Sequence, residues 1–203
     1  MLGKILFVTD LHKRYTDSTN VRGQLKAQDL IQQDIIKAVS DHGITHIVIT
    51  GDWYHRGFHG LCEAMDCMEW DKRISASVNG NVFLCVGNHF FLERDENPEM
   101  YIIQPNDFMK PKKPIATPDK PIFNVVEQLN IGDVQFSFFH YTKMQKNYVR
   151  QRNDGVKQHI GIYHDEACVP SWIAEQEGFK SKTSNKYLNK IYDNVDLAIH
   201  GHI

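Results

Sequence analysis

The chain has 203 residues, 41% of them hydrophobic and 24% charged, and a formal net charge of −2. This composition is that of a globular protein, so it excludes an intrinsically disordered chain, and the near-neutral charge excludes a uniformly basic nucleic-acid-binding protein. No apolar run approaches the roughly 18 residues that a membrane-spanning helix needs, so we expect no membrane insertion.

The first ninety residues alternate strand and helix patterns. Strands are predicted at residues 4–9, 44–50 and 81–86. Apolar residues recur at helical spacing over residues 27–39 and 61–68, and Gly43 stands where a glycine ends a helix. This β-α-β-α-β order predicts parallel strands joined by right-handed crossovers.

The middle of the chain has a different composition. Residues 92–122 contain six of the seven prolines, which predicts a long, irregular excursion. After it, two strand patterns at residues 123–129 and 134–139 flank a turn, which predicts a hairpin. The last predicted elements are a strand at 159–164, a short helix at 185–192 and a closing strand at 195–199.

Cysteine usage is typical of a reducing compartment. The four cysteines form no CxxC pair, and Cys85 lies within an apolar strand pattern, where a buried and unreactive thiol is expected. We therefore expect a cytoplasmic protein.

Side chains that bind metals follow the predicted strands at their carboxyl ends, where the ligands of α/β sheets bind. Carboxylate, imidazole and amide groups together suit Mn, Fe or Zn. Asp10 and His12 are two apart on a segment expected to be extended, so their side chains should point the same way and share an ion. The residues concerned are Asp10, His12, Asp52, Asn88, His89, His164, His200 and His202.

The order of these motifs resembles that of the calcineurin-like metallophosphoesterases. The matching motifs are Asp10-x-His12, Gly51-Asp52, Gly87-Asn88-His89 and Gly201-His202. The resemblance implies an α/β fold, with a β-sandwich core flanked by helices, as one domain over residues 1–203. Residues 51–55 (GDWYH) are similar to the nuclease branch typified by SbcD-type double-strand-break repair enzymes, with a phage-like character.

The resemblance also implies a role for each site residue. Asp10 and His12 would hold one divalent ion, and Asp52 would bridge it to a second. The second ion would be held by Asn88, His164 and His202. His89 would act as the general acid for the leaving oxygen, and His55 would orient His89 or contact the phosphate. Manganese is the expected metal, with magnesium, iron or zinc as alternatives.

Two histidines compete for the mid-chain ligand position. His140 follows a strand that pairs locally in the predicted hairpin, whereas His164 ends a strand reached by a connection long enough for a crossover. In the SbcD-like branch the hairpin strand normally ends without a ligand and the next strand supplies it. We therefore predict His164 and keep His140 as the alternative.

Two departures from the family pattern bear on function. Phe90 stands where the family usually has an acidic residue, so a carboxylate that would help to hold His89 is missing. The closing Gly-His-x-His motif is cut to Gly201-His202-Ile203, so we expect the chain to be C-terminally incomplete, ending before the last strands of the fold. His200, outside the family pattern, is expected to be a core or edge histidine.

The leading hypothesis is a two-metal DNA phosphodiesterase, an exonuclease or endonuclease of the SbcD kind. By resemblance, its partners would be DNA, an SbcC-like ATPase and a second copy of the chain. The alternatives are a phosphodiesterase or phosphatase acting on cyclic nucleotides or phosphoproteins, and a catalytically impaired DNA-binding or scaffold subunit.

Overall fold

The computed structural model describes residues 3–12, 21–54, 61–87, 122–140, 151–164 and 194–201. The elements in chain order are β1 (Lys4–Val8), α1 (Val21–His42), β2 (Ile44–Ile49), α2 (Leu61–Ser77), β3 (Val82–Leu84), β4 (Gln128–Ile131), β5 (Val134–Phe139), β6 (Gln158–His164) and β7 (Leu197–Gly201). The proline-rich excursion, apart from its last residue, and the helix predicted at 185–192 lie outside the described residues.

The first sheet contains β1, β2 and β3, all parallel. This arrangement confirms the parallel topology predicted from the alternating strand and helix patterns. The ladder of β3 is shorter than the predicted strand, although the Cys85 N–H still donates to the Ile49 carbonyl at 2.8 Å. The parallel pairing brings the carboxyl ends of the three strands to one edge.

The two helices cover one face of this sheet. Ile35 and Val39 of α1 and Ile74 of α2 are buried in the core between helices and sheet. Gly43 follows α1 with φ of +61°, the left-handed conformation that favours glycine at a helix end, as predicted. Among the described residues, no helix combines the length and the apolar character needed to cross a bilayer.

The second sheet has the order β4-β5-β6-β7. Strands β4 and β5 form the predicted antiparallel hairpin, and β6 and β7 add in parallel. β4 begins only at Gln128, because the preceding segment runs beside the first sheet, where Asn124 forms a bridge to Phe83. β7 begins and ends two residues later than the predicted strand, so Gly201 becomes the register partner of His164.

The two sheets face each other across a second apolar layer. Val48 and Phe83 of the first sheet point into this layer, while Ile47 and Ile49 point to the helices. The second sheet contributes Phe136, Phe138, Ile160 and Ile162. This alternation of side chains between two faces gives the predicted sandwich of two sheets flanked by helices.

Cys85 lies within the layer between the sheets. Its side chain is fully buried, and burial raises the pKa of its thiol far above the ordinary value. A thiol held in its neutral form is a poor nucleophile. The prediction that Cys85 is buried is confirmed, and the raised pKa of its thiol agrees with the expected low reactivity.

Candidate metal centre

Three potential metal ligands converge where the two sheets meet. Asp10 follows β1, Asp52 follows β2, and His164 is the last residue of β6. One ligand atom from each of them lies within 4.8 Å of the other two. Strands of both sheets therefore deliver two carboxylates and an imidazole to one place.

His164 is oriented by a backbone carbonyl. Its Nδ1 lies 2.9 Å from the Thr50 oxygen, and because a carbonyl can only accept, Nδ1 must donate. The other ring nitrogen, Nε2, is then directed at Asp52 Oδ2, 3.1 Å away. In a metal-binding histidine, one ring nitrogen usually donates a hydrogen bond that fixes the ring, so that the other nitrogen faces the metal.

The protonation of His164 depends on Asp52. Burial lowers the pKa of the imidazole, but the Asp52 carboxylate, the Thr50 carbonyl and Asp10 outweigh burial and raise the pKa above 6.5. Without a metal, therefore, a proton on Nε2 is stabilised against Asp52. A divalent cation bound between these groups would replace that proton, so metal binding at this site would release it.

His12 lies on the more open side of the same cluster. Its Nε2 is 3.8 Å from Asp10 Oδ1 and 3.8 Å from Asp52 Oδ2. The side chains of His12 and Asp10 are 35% and 24% exposed, whereas Asp52 and His164 are fully buried. The site thus has a buried floor and one side through which a solvent-borne group can approach.

The backbone at the site is strained. Asp10, His12 and Asp52 have φ of 49°, 46° and 33°. These values lie in the left-handed region, which residues other than glycine rarely adopt. The sequence-based reason for pairing Asp10 with His12, an extended segment, is therefore wrong, although the two side chains do approach each other. Strain of this kind persists only where the surroundings enforce it, and it concentrates at functional sites.

Three glycines allow the ligands to pack closely. A Cβ added at Gly51 would lie 1.7 Å from His164 Nδ1, and one at Gly87 would lie 2.2 Å from Asp52 Oδ1. At Gly201 it would lie 2.0 Å from the Thr50 carbonyl oxygen. A side chain at any of these three glycines would collide with a candidate ligand or with the carbonyl that orients His164, so the glycines make room for the cluster.

Comparison with known proteins accounts for this arrangement. The family model described as Calcineurin-like phosphoesterase matches residues 3–203. The chain belongs to the calcineurin-like phosphoesterase family. A search of curated proteins found no match. Membership supports a metal-dependent phosphoester hydrolase, and the convergence of Asp10, Asp52 and His164 provides a group of side chains able to hold the metal that such a hydrolase needs.

Some residues that the phosphoesterase motifs single out lie outside the described part of the chain. These are His55, Asn88, His89, Phe90 and His202. Asn88 and His202 directly follow Gly87 and Gly201 in the sequence, and both glycines are packed against the cluster. The roles of all five residues remain predictions.

His140 is engaged elsewhere in the phosphoesterase fold. Its Nδ1 accepts from the Val86 N–H at 3.0 Å, and its Nε2 donates to the Val126 carbonyl at 3.0 Å. Both ring nitrogens thus satisfy backbone groups, whereas His164 directs one nitrogen at Asp52. This difference favours His164 as the mid-chain ligand.

Alanine variants of the two histidines are expected to separate these roles. His164→Ala should weaken Mn²⁺ binding and reduce the metal retained per chain, because it removes one donor of the cluster. His140→Ala should retain the wild-type metal content but lower the free energy of unfolding by about 1–3 kcal/mol, because a buried N–H loses its acceptor. Elemental analysis after dialysis and urea unfolding measure the two quantities. Loss of an ion from the His140 variant alone would contradict the assignment.

His200 lies on the other face of β7, away from the layer between the sheets. Its ring stacks on Tyr163 with centroids 4.8 Å apart, and burial lowers its pKa to about 4. This environment fits the expectation of a core or edge histidine.

The Thr50 carbonyl is the partner that sequence analysis did not single out. Every residue carries a carbonyl group, so no residue type marks this one as the acceptor for His164. Its position immediately before Gly51-Asp52 is the only available signal, and it becomes meaningful only when β6 lies opposite β2.

Proposed function

We propose that this phosphoesterase is a metal-dependent DNA phosphodiesterase of the SbcD kind. The hydrolase class follows from family membership, and the proposal adds the substrate. The cluster of Asp10, Asp52 and His164 supports the metal-dependent chemistry. The choice of DNA is carried by the resemblance of residues 51–55 to the nuclease branch.

The donor set fits the ions that the family implies. Two carboxylates and two imidazoles, from Asp10, Asp52, His12 and His164, are suited to manganese, iron or zinc. We assign Asp10 and His12 to one ion, Asp52 to both, and Asn88, His164 and His202 to the other. Two divalent ions held by these residues would lower the pKa of a water molecule and offset charge on the phosphate oxygens.

The chain's own residues have distinct tasks in this proposal. The buried Asp52 carboxylate would offset part of the positive charge of the bound metal ions. Asp10 and His12 border the open side, from which the phosphodiester approaches. His89 donates a proton to the departing sugar oxygen, a usual task for an imidazole. His55 orients His89.

The contact with DNA has little support from the described basic residues. Between β5 and β6, Arg152 forms an ion pair with Asp196, and Lys157 forms one with Asp133 at 2.8 Å. Basic groups already paired with acids contribute less to binding phosphates. The nuclease assignment therefore depends on residues 51–55. An SbcC-like ATPase and a homodimer are proposals from resemblance, and a cytoplasmic location is a proposal from the cysteine usage.

A comparison of substrates tests the proposed function. The full chain is incubated with linear double-stranded DNA, a cyclic nucleotide or a phosphopeptide, each with Mn²⁺ and with EDTA. We expect Mn²⁺-dependent cleavage of DNA that EDTA abolishes. Faster turnover of the cyclic nucleotide or the phosphopeptide than of DNA would show that DNA is not the preferred substrate. DNA binding without cleavage, and with one ion or none per chain, would indicate a scaffold subunit.

A further inference from the structure

Asp71 is a carboxylate buried on the apolar face of helix α2. Its residue exposure is 1%, and Cys67, Ile74 and Val78, at helical spacing from it, are also buried. A carboxylate at such a position is unfavourable unless strong hydrogen bonds replace its water. Its presence on this face therefore calls for specific partners.

Those partners are the two residues that follow Asp52. The Trp53 indole Nε1 donates to Asp71 Oδ1 at 3.0 Å, and the Tyr54 hydroxyl donates to Asp71 Oδ2. Trp53 and Tyr54 are 1% and 3% exposed, and the Trp53 ring packs edge-on against Phe123. One carboxylate thus anchors both residues to α2 through separate oxygens.

The anchored segment includes a strained turn. Gly51 has φ of +123° and Asp52 has φ of +33°. On one side, the Asp52 carbonyl accepts from the His12 N–H at 2.9 Å. On the other side, the hydrogen bonds to Asp71 begin at the very next residue. A turn held from both sides can keep a conformation that it would otherwise leave.

We propose that Asp71 is a positioning residue, which holds the turn so that the Asp52 carboxylate stays directed at His164 and Asp10. The inference rests on the proposed function in one respect, that Asp52 binds a metal ion. It predicts that the hydrogen bonds made by Asp71 prepare the site before any metal arrives. Removing them should therefore weaken metal binding beyond what loss of stability alone explains.

The test compares Asp71→Leu with two controls in the full-length chain. Asp71→Asn keeps an acceptor for Trp53, and its amide can donate to the Tyr54 oxygen. Ile74→Ala removes buried volume from the same helix face and leaves the hydrogen bonds intact. Titration calorimetry with Mn²⁺ alone gives Kd, thermal unfolding gives stability, and hydrogen–deuterium exchange of the metal-free protein follows residues 50–54.

We expect Asp71→Leu to raise the Kd for Mn²⁺ by about 10-fold to 100-fold, as loss of a partner that orients a ligand typically does. Exchange at residues 50–54 should also become faster. Asp71→Asn should keep both the Kd for Mn²⁺ and the exchange rate at residues 50–54 near their wild-type values. Ile74→Ala should lower the unfolding temperature and leave the Kd near the wild-type value. An equal rise in Kd for Asp71→Leu and Ile74→Ala, or no rise in either, would overturn the proposal.

Two further outcomes are also decisive. If Asp71→Leu does not fold, Tyr54→Phe takes its place, since it removes one donor and keeps the ring; an unchanged Kd and unchanged exchange then overturn the proposal. If the wild-type chain binds no Mn²⁺, the proposed function fails by itself. Hydrogen–deuterium exchange of the metal-free variants still tests whether Asp71 holds the turn. Faster exchange at residues 50–54 in Asp71→Leu than in Ile74→Ala supports this role, and equal exchange refutes it.

Discussion

Replacing Asp52 by asparagine is expected to lower metal-dependent phosphodiester hydrolysis by about 1,000-fold, or ~4 kcal/mol of transition-state stabilisation. The carboxylate is fully buried, and its Oδ2 lies 3.1 Å from His164 Nε2. Asparagine has nearly the same volume, so it removes charge and a donor oxygen with little change in packing. The kcat/KM for linear DNA and for a chromogenic phosphodiester, both at saturating Mn²⁺, measures the effect.

The matched control for this prediction is Asp41→Asn. Asp41 lies on the exposed end of α1, where it pairs with Lys37. An exposed pair one helical turn apart contributes only a few tenths of a kcal/mol, so hydrolysis by this variant should equal that of the wild type. Full hydrolysis by Asp52→Asn, or equal loss in both variants, would contradict the assignment of Asp52 to the metal.

The second large effect is expected from Gly51→Ala. We predict a loss of roughly 3 kcal/mol or more in the free energy of unfolding, because the substitution combines backbone strain with overpacking. The φ of +123° disfavours any side chain, and the added methyl group would lie 1.7 Å from His164 Nδ1. Moving His164 to make room breaks its hydrogen bond to Thr50. Urea unfolding measures the stability, and Mn²⁺ titration measures the damage to the site.

Gly43→Ala separates the two causes. Gly43 also has positive φ, +61°, but an added Cβ would meet no atom within 4 Å. The free energy of unfolding of this variant should fall by about 1–2 kcal/mol, because alanine is disfavoured in the left-handed conformation. The variant should bind Mn²⁺ like the wild type. If Gly51→Ala were no more destabilising than Gly43→Ala, the close approach of Gly51 to His164 would not be required by the fold.

The elements were predictable because they depend on residues a few positions apart. The alternation of Ile47, Val48 and Ile49 between two faces identifies a strand, and Gly43 identifies the end of a helix. Boundaries were less predictable where they depend on pairing. The segment before β4 resembles a strand in sequence, but Asn124 pairs with the first sheet, and a hydrogen bond to β5 is made only at Glu127, whose carbonyl accepts from the Phe138 N–H.

The candidate site was predictable in part. The types of donor group and their order in the chain led to Asp10, His12, Asp52 and His164, and the structure brings these four side chains together. The reason for pairing Asp10 with His12 was not predictable. Left-handed backbone at both residues depends on contacts such as the hydrogen bond from the His12 N–H to the Asp52 carbonyl, which joins segments 40 residues apart.

By itself, the sequence determined which chemical groups are available and which strand each one follows, since both are local properties of the chain. The sequence favoured His164 over His140 as the mid-chain ligand, and the tertiary structure adds a physical reason for that choice. His164 becomes a candidate ligand because its Nδ1 donates to Thr50, 114 residues earlier, whereas both ring nitrogens of His140 are used by backbone groups. The tertiary structure alone also shows that Asp71 anchors Trp53 and Tyr54, the residues that follow Asp52. Such contacts depend on how two sheets and a helix pack, and no pattern within a single element encodes that packing.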